Sequence, residues 1–283
     1  MTMVGTPPPR LPVRDRASAT ERAWGGLSPM LTRLAAERAT GVLVRARGTL
    51  YLAEGMVVHA ESPAAAGLDA LLTAHGTLAP EVWQDAVARS DGRHGAARLL
   101  LDGGHLSPGA LQLCHLGALY DAAYFALAPS SAPGRFRYGV AHRLGPVLPV
   151  QVAALERETL RRRDLLDRIW PDATPDEAPL ERTYASGAPK LTTRQQTLLD
   201  RIDGTRTATG LAHGLGRQSF HTLVDVRRLV AAGLVAPRAP AAPEPVVHPP
   251  PHTHTPAAAE QLAYTTDPHI TLLKRLRDAL EAL

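Results

Sequence analysis

The alternation of apolar and polar positions is sharpest between Thr40 and Leu72. Val42 and Val44 alternate with Leu43 and Arg45, the two-residue period of a half-buried strand. Arg47-Gly48-Thr49 suits a tight turn, and Leu50 to Ala53 resumes the extended pattern. Glu54-Gly55 supplies a second turn, because glycine takes positive φ without steric penalty. Met56 to Ala60 then returns as a third strand, and Pro63 with the Ala-rich run after it opens a helix. Ahead of this meander, a helix over Leu27 to Arg38 places Leu27, Leu31 and Leu34 on one face. No residue in the stretch has the setting of a nucleophile, a metal cage or a phosphate cradle.

Helical periodicity dominates from Leu68 onward, and part of it is duplicated. LDALLTAHGTLAPEV (Leu68 to Val82) aligns with AARLLLDGGHLSPGA (Ala96 to Ala110), matching Gly76 to Gly104, Leu78 to Leu106 and Pro80 to Pro108. Each copy is a leucine-rich helix stopped by a glycine suited to a left-handed cap. A small residue and a proline then suit the first turn of the next helix. Ser107 is a good N-cap and Ala79 a poor one. The repeat is expected to be a packing unit. Leu111 to Leu127 continues as an apolar helix, Gly134 to Tyr138 is a short strand, and a helix over Gln151 to Ile169 ends at Trp170-Pro171.

The C-terminal part divides by composition. Residues 171–189 are a Pro- and Asp-rich linker. Residues 190–238 carry three helices, Leu191 to Ile202, Ala208 to Leu215 and Gln218 to Ala232, followed by a strand from Leu234-Val235. Residues 239–258 are a Pro- and His-rich spacer, and residues 259–283 an amphipathic docking helix with Ile270, Leu273, Leu276, Leu280 and Leu283 on one stripe. A helix that short folds by laying its stripe into a groove, on this chain, a second copy or a partner. Residues 1–23 are Pro- and Arg-rich and are expected to be flexible. The fold class is α+β: a small antiparallel meander with helices (24–170), a winged helix-turn-helix domain (190–238) and the short terminal helix.

Composition and charge sharpen this picture in two places. Aromatics make up 4% of the chain, which leaves few stacking platforms for bases. Of the 31 cations only Lys190 and Lys274 are lysine, as a GC-rich coding bias would produce. Eight cations against three anions nevertheless fall between Lys190 and Arg238. On the third helix of that segment Arg217, Gln218, Ser219, His221 and Thr222 are candidates for contact with base edges, and Arg227 and Arg228 for contact with phosphates. Asp225, on the same expected face, opposes DNA. The single cysteine, Cys114, is expected as a buried hydrophobe and fits a reducing, cytoplasmic setting. His248, His252 and His254 sit among prolines as a solvated tract, and His94, His105 and His115 receive no role. Arg161-Arg162-Arg163 is expected to be a solvated face. No catalytic, cofactor or metal residue is assigned, and no apolar run approaches membrane-spanning length.

Residues 24–170 resemble the PatA-type N-terminal domain, a bacterial signalling-associated domain. The resemblance is carried by the leading leucine helix, TGVL, LYLAEGMVVHAE, GLDALL, GRFRY and ALERETLRRRDLL. It implies an α/β module of regulatory and adaptor proteins and no catalytic residues. The repeat is similar to the N-terminal domain of type II secretion ATPases, some of which bind a cyclic dinucleotide through an Arg-Leu-Gly start to each motif. Leu68-Asp69 and Ala96-Ala97 stand at those starts, so the glycine is missing from both. Residues 190–238 resemble winged helices of both the DNA-binding MarR type and the protein-binding PqqD type. The expectation is a non-enzymatic regulator or adaptor acting through protein contacts or self-association. A DNA-binding transcriptional regulator is the first alternative and a cyclic-dinucleotide-responsive module the second.

Overall fold

In the computed structural model the described residues are 28–74, 76–91, 94–183 and 190–238. All belong to one unit, Met1–Ala239; the expected docking stripe, the His248, His252 and His254 run and residues 1–23 lie outside the described residues. Helix α1 is Pro29–Ala36, and its Leu31 and Leu34 are buried. The meander follows as β1 Gly41–Arg45, β2 Gly48–Ala53 and β3 Met56–Glu61. A fourth strand, β4 Arg135–Tyr138, adds to β1, giving an antiparallel sheet of order β3-β2-β1-β4.

The turns explain the register. Arg45 pairs with Gly48, so the first hairpin turns on Ala46-Arg47, one residue earlier than expected. The second turns on Glu54-Gly55, whose φ values of 51° and 78° are both left-handed, as a type I′ turn requires. Glu54 tolerates this because the turn is anchored to the end of α1. Its N–H donates to Thr40 Oγ1 at 3.0 Å, and the Gly55 N–H donates to the Ala39 carbonyl at 3.0 Å. In β1 the expected alternation fails: Val42 and Leu43 are both buried while Val44 is exposed. Leu43 joins Leu50, Leu52, Val57 and Ala60 in the core, and Val42 lies on the other face of the sheet.

The repeat forms as four helices: α2 Leu68–Thr73, α3 Pro80–Arg89, α4 Ala96–Asp102 and α5 Pro108–Ala126. The first helix starts at Leu68 rather than Pro63, because Pro63 and Ala64 form a turn. Gly76 and Gly104 end the leading helices at φ 72° and 67°, the expected left-handed caps. Ser107 accepts from the Ala110 N–H, whereas Ala79 offers no side-chain cap. Leu72 and Leu100, equivalent in the two copies, are fully buried in a second core shared with Leu111 and Ala118 of α5. Helix α5 also packs on β2 and β3. It is apolar round most of its circumference because its neighbours cover most of it, Leu113 near its start being exposed.

Helix α6 is Val152–Ile169. Residues 171–183 correct the linker reading. They hold a short helix α7, Thr174–Glu177, and a strand β5, Leu180–Arg182, which pairs with β6, Val235–Pro237. Pro175 and Leu180 are buried, so this stretch is part of the fold. Between β5 and β6 lie α8 Thr193–Asp200, α9 Ala208–Gly214 and α10 Ser219–Ala231. Thr192 and Gln195 make a capping box at the start of α8, and Thr207 caps α9. No helix among the described residues is long and apolar enough to cross a membrane.

Gly55 and Gly76 test the turns against each other. A Cβ on Gly55 would lie 2.5 Å from the Ala35 carbonyl oxygen, whereas nothing lies within 4 Å of one on Gly76. Both alanine variants carry a left-handed cost of about 1–2 kcal/mol. Gly55→Ala is expected to lose at least about 1 kcal/mol more in urea unfolding, from the forced displacement of packed backbone.

Candidate functional site

The β2–β3 register assembles a polar cluster that sequence reading missed. His59 and Glu61 alternate on β3 and share a face. Directly opposite on β2 stand Tyr51, paired with His59, and Thr49, paired with Glu61. Both hydroxyls donate to Glu61 Oε2, at 3.1 Å from Tyr51 and 3.3 Å from Thr49. Glu61 Oε1 is thereby left to accept from His142 Nε2 at 3.0 Å. The Leu144 N–H donates to His142 Nδ1 at 3.2 Å, so the ring proton sits on Nε2. The His59 ring stacks on His142 with centroids 3.9 Å apart. Behind it, His115 of α5 is fully buried and donates from Nε2 to the Val58 carbonyl at 2.9 Å. His115, given no role from the sequence, is therefore part of the interior.

The cluster opens into a cleft of about 920 Å³, lined also by Arg45, Ser62, Trp83 and Arg143. Burial, with His142 and His115 nearby, pushes His59 down to about 3. The hydrogen bond from His142 brings Glu61 down to about 2. His59 is thus a neutral imidazole and Glu61 a carboxylate at neutral pH. The Nδ1 atoms of His59 and His115 are buried without a hydrogen-bond partner. Such groups cost about 1–3 kcal/mol each.

The other face of α5 holds α10. Asp121 is fully buried, and its carboxylate accepts from the first two N–H groups of α10, Ser219 at 2.7 Å and Phe220 at 2.8 Å. A carboxylate there meets the positive end of the helix dipole and two donors that have no partner within the helix. Burial still raises the Asp121 pKa, against these two bonds. The Arg162 guanidinium of α6 stands 4.0 Å from Asp121, bonds Glu158 at 2.8 Å and lies 4.6 Å from the centre of the Phe220 ring. Of the run expected to be solvated, Arg162 is therefore buried.

This docking corrects the expected DNA-reading face. Ser219, Thr222 and Arg227 are 1%, 3% and 3% exposed, and Asp225 is buried with them. Asp225 pairs with Arg194 at 2.6 Å. Arg227 bonds Asp176 through two nitrogens, at 2.6 and 2.9 Å, and also reaches the Trp170 carbonyl. For Ser219, Thr222 and Arg227 the expectation failed because α10 packs against α5, α6, α7, α8 and α9, which leaves no broad free face. Gln218 is half-buried, with its amide set against Gly117 where a Cβ would collide. Arg217 is half-buried, and His221 and Arg228 are exposed. At the starts of the repeat, Leu68, Ala96 and Ala97 are buried, and Asp69, an anion, is exposed at the cleft. Cys114 is half-buried rather than buried.

Comparison with family models, with curated proteins and with solved structures finds no match.

The depressed His59 pKa sets a direction for stability against pH. The unfolded chain takes up a proton near the ordinary value of 6.5, which the folded chain refuses until about 3. Stability is therefore present above 6.5 and lost as pH falls through this window. His59→Asn is expected to lower the pH slope of the urea midpoint by up to about one proton between pH about 7 and about 5. An unchanged slope would contradict the buried, neutral imidazole.

Proposed function

We propose that the chain is a non-enzymatic regulatory or adaptor protein that acts through protein contacts. The observation that carries this reading is the anchoring of α10 to Asp121. The helix that would enter a DNA groove in a winged helix-turn-helix protein is here a central strut, with its N-terminal donors consumed by a side chain of the same chain. Residues 190–238 are accordingly read as a winged helix of the protein-contacting kind.

A contact surface supports the same reading. Leu113 on α5 is 75% exposed, beside a groove of about 580 Å³ lined by Leu71, Leu116, Tyr120, Arg217 and Gln218. The resemblance of residues 24–170 to the PatA-type domain points the same way, as does the apolar stripe from Ile270 to Leu283.

Fluorescence anisotropy with the full chain and labelled duplexes separates this reading from a DNA-binding regulator. The expected binding is weak and salt-sensitive, with a Kd of about 10⁻⁶ M or weaker and no sequence preference. Sequence-selective binding at about 10⁻⁸ M or tighter at physiological salt would overturn it.

A further inference from the structure

We propose that His59, Glu61 and His142 bind a divalent transition-metal ion of the zinc class. The proposal is independent of the adaptor reading. One ligand atom from each residue lies within 4.8 Å of the other two, so the three converge on one point at the wall of the cleft. Two imidazoles and a carboxylate suit zinc and its borderline neighbours, whereas calcium and magnesium prefer oxygen alone. Three protein ligands leave a fourth position, and the cleft supplies space there for water or a small ligand.

The surroundings favour ligation over a plain hydrogen-bonded cluster. Tyr51 and Thr49 hold one oxygen of Glu61 and so aim the other, as outer partners do around metal-bound carboxylates. His59 is only 5% exposed, and its Nδ1 has no hydrogen-bond partner. Two of the ligand positions belong to one strand held on its neighbour by the sheet register. The third, His142, belongs to the irregular segment 139–149 and supplies the adjustment. Ligand atoms about 2.0–2.2 Å from a common ion require the longest separation to contract by roughly 1.5 Å. The stacked His59 and His142 rings must also splay.

Ligation by His142 Nε2 replaces its hydrogen bond to Glu61 and leaves Nδ1 as the ring's N–H. The Leu144 N–H then loses its acceptor. The Arg143 and Leu144 carbonyls accept from the Ala96 and Ala97 N–H groups at the start of α4. The segment that carries His142 is thereby held against the start of α4.

The test is zinc titration of the metal-stripped full chain against a chromophoric chelator, with cobalt(II) absorption reporting the ligand set. One equivalent is expected at this site, with the intense visible bands of a four- or five-coordinate ion. Glu61→Gln and His142→Gln are each expected to weaken binding by about ten-fold or more, and Tyr51→Phe by about ten-fold. Glu61 is half-exposed and Gln retains an oxygen for the Tyr51 and Thr49 hydroxyls, so Glu61→Gln is expected to fold. Its circular dichroism and urea midpoint check this. Replacing His248, His252 and His254 together by alanine should leave the equivalent in place. Equal affinity of wild type and Glu61→Gln, or loss of binding in the triple alanine variant alone, would overturn the proposal.

Discussion

The C-terminal part of this fold depends on one buried carboxylate. Asp121 sits inside α5 with no exposure, where an ion without partners would not be tolerated. Its partners come from residues almost a hundred positions later in the chain, the N–H groups of Ser219 and Phe220. Charge-assisted bonds of this kind are about twice as strong as neutral ones. They fix where α10 begins and which way it points. Arg162 closes the arrangement by balancing the charge and covering the Phe220 ring. At the other end of α10, Arg227 is held by Asp176 and the Trp170 carbonyl. The helix is clamped near both ends by groups outside residues 190–238, which joins those residues to the meander and the repeat.

Helix α5 is the element on which the parts meet. Its His115, Ala118 and Ala122 face the β3 side, with the two alanines lining the cleft. Asp121 and Tyr124 face α10, where Tyr124 meets Phe220 with ring centroids 5.4 Å apart. Leu111 and Ala118 also belong to the core of the repeat. Two polar residues buried on different sides of a largely apolar helix are costly unless bonded. Here Asp121 accepts two backbone N–H groups and His115 Nε2 reaches a backbone carbonyl, while His115 Nδ1 stays unpartnered.

Local patterning made much of this legible. Glu54-Gly55, the glycine caps at 76 and 104 and the prolines at 80 and 108 are short-range signals that the structure places as read, and the strand read over Gly134 to Tyr138 forms over Arg135–Tyr138. The cluster on β3 was not legible, because it needs a register and a contact across 81 positions of sequence. The spacing of His59 and Glu61 carried half of that signal, as two ligating types on one face of a strand. Ser219, Thr222 and Arg227 were misread for a related reason. A helical wheel assumes one covered face, and α10 is covered nearly all round. Asp121 drew no attention in an apolar helix, although a lone carboxylate there already demands a distant partner. Residues 171–183 looked like a linker because proline and aspartate dominate them. Pro175, Asp176 and Leu180 instead bind the segment into the fold.

Native-state hydrogen exchange of the Ser219 and Phe220 amides tests the central claim most directly. With Asp121 in place, both amides are expected to exchange only through large-scale unfolding, although the first N–H groups of a helix ordinarily exchange by fraying. In Asp121→Ala they should exchange by local opening, with the rest of α10 loosened from α5. Fast exchange of both amides in the wild-type chain, or the same slow exchange after the substitution, would contradict a fold organised around this carboxylate.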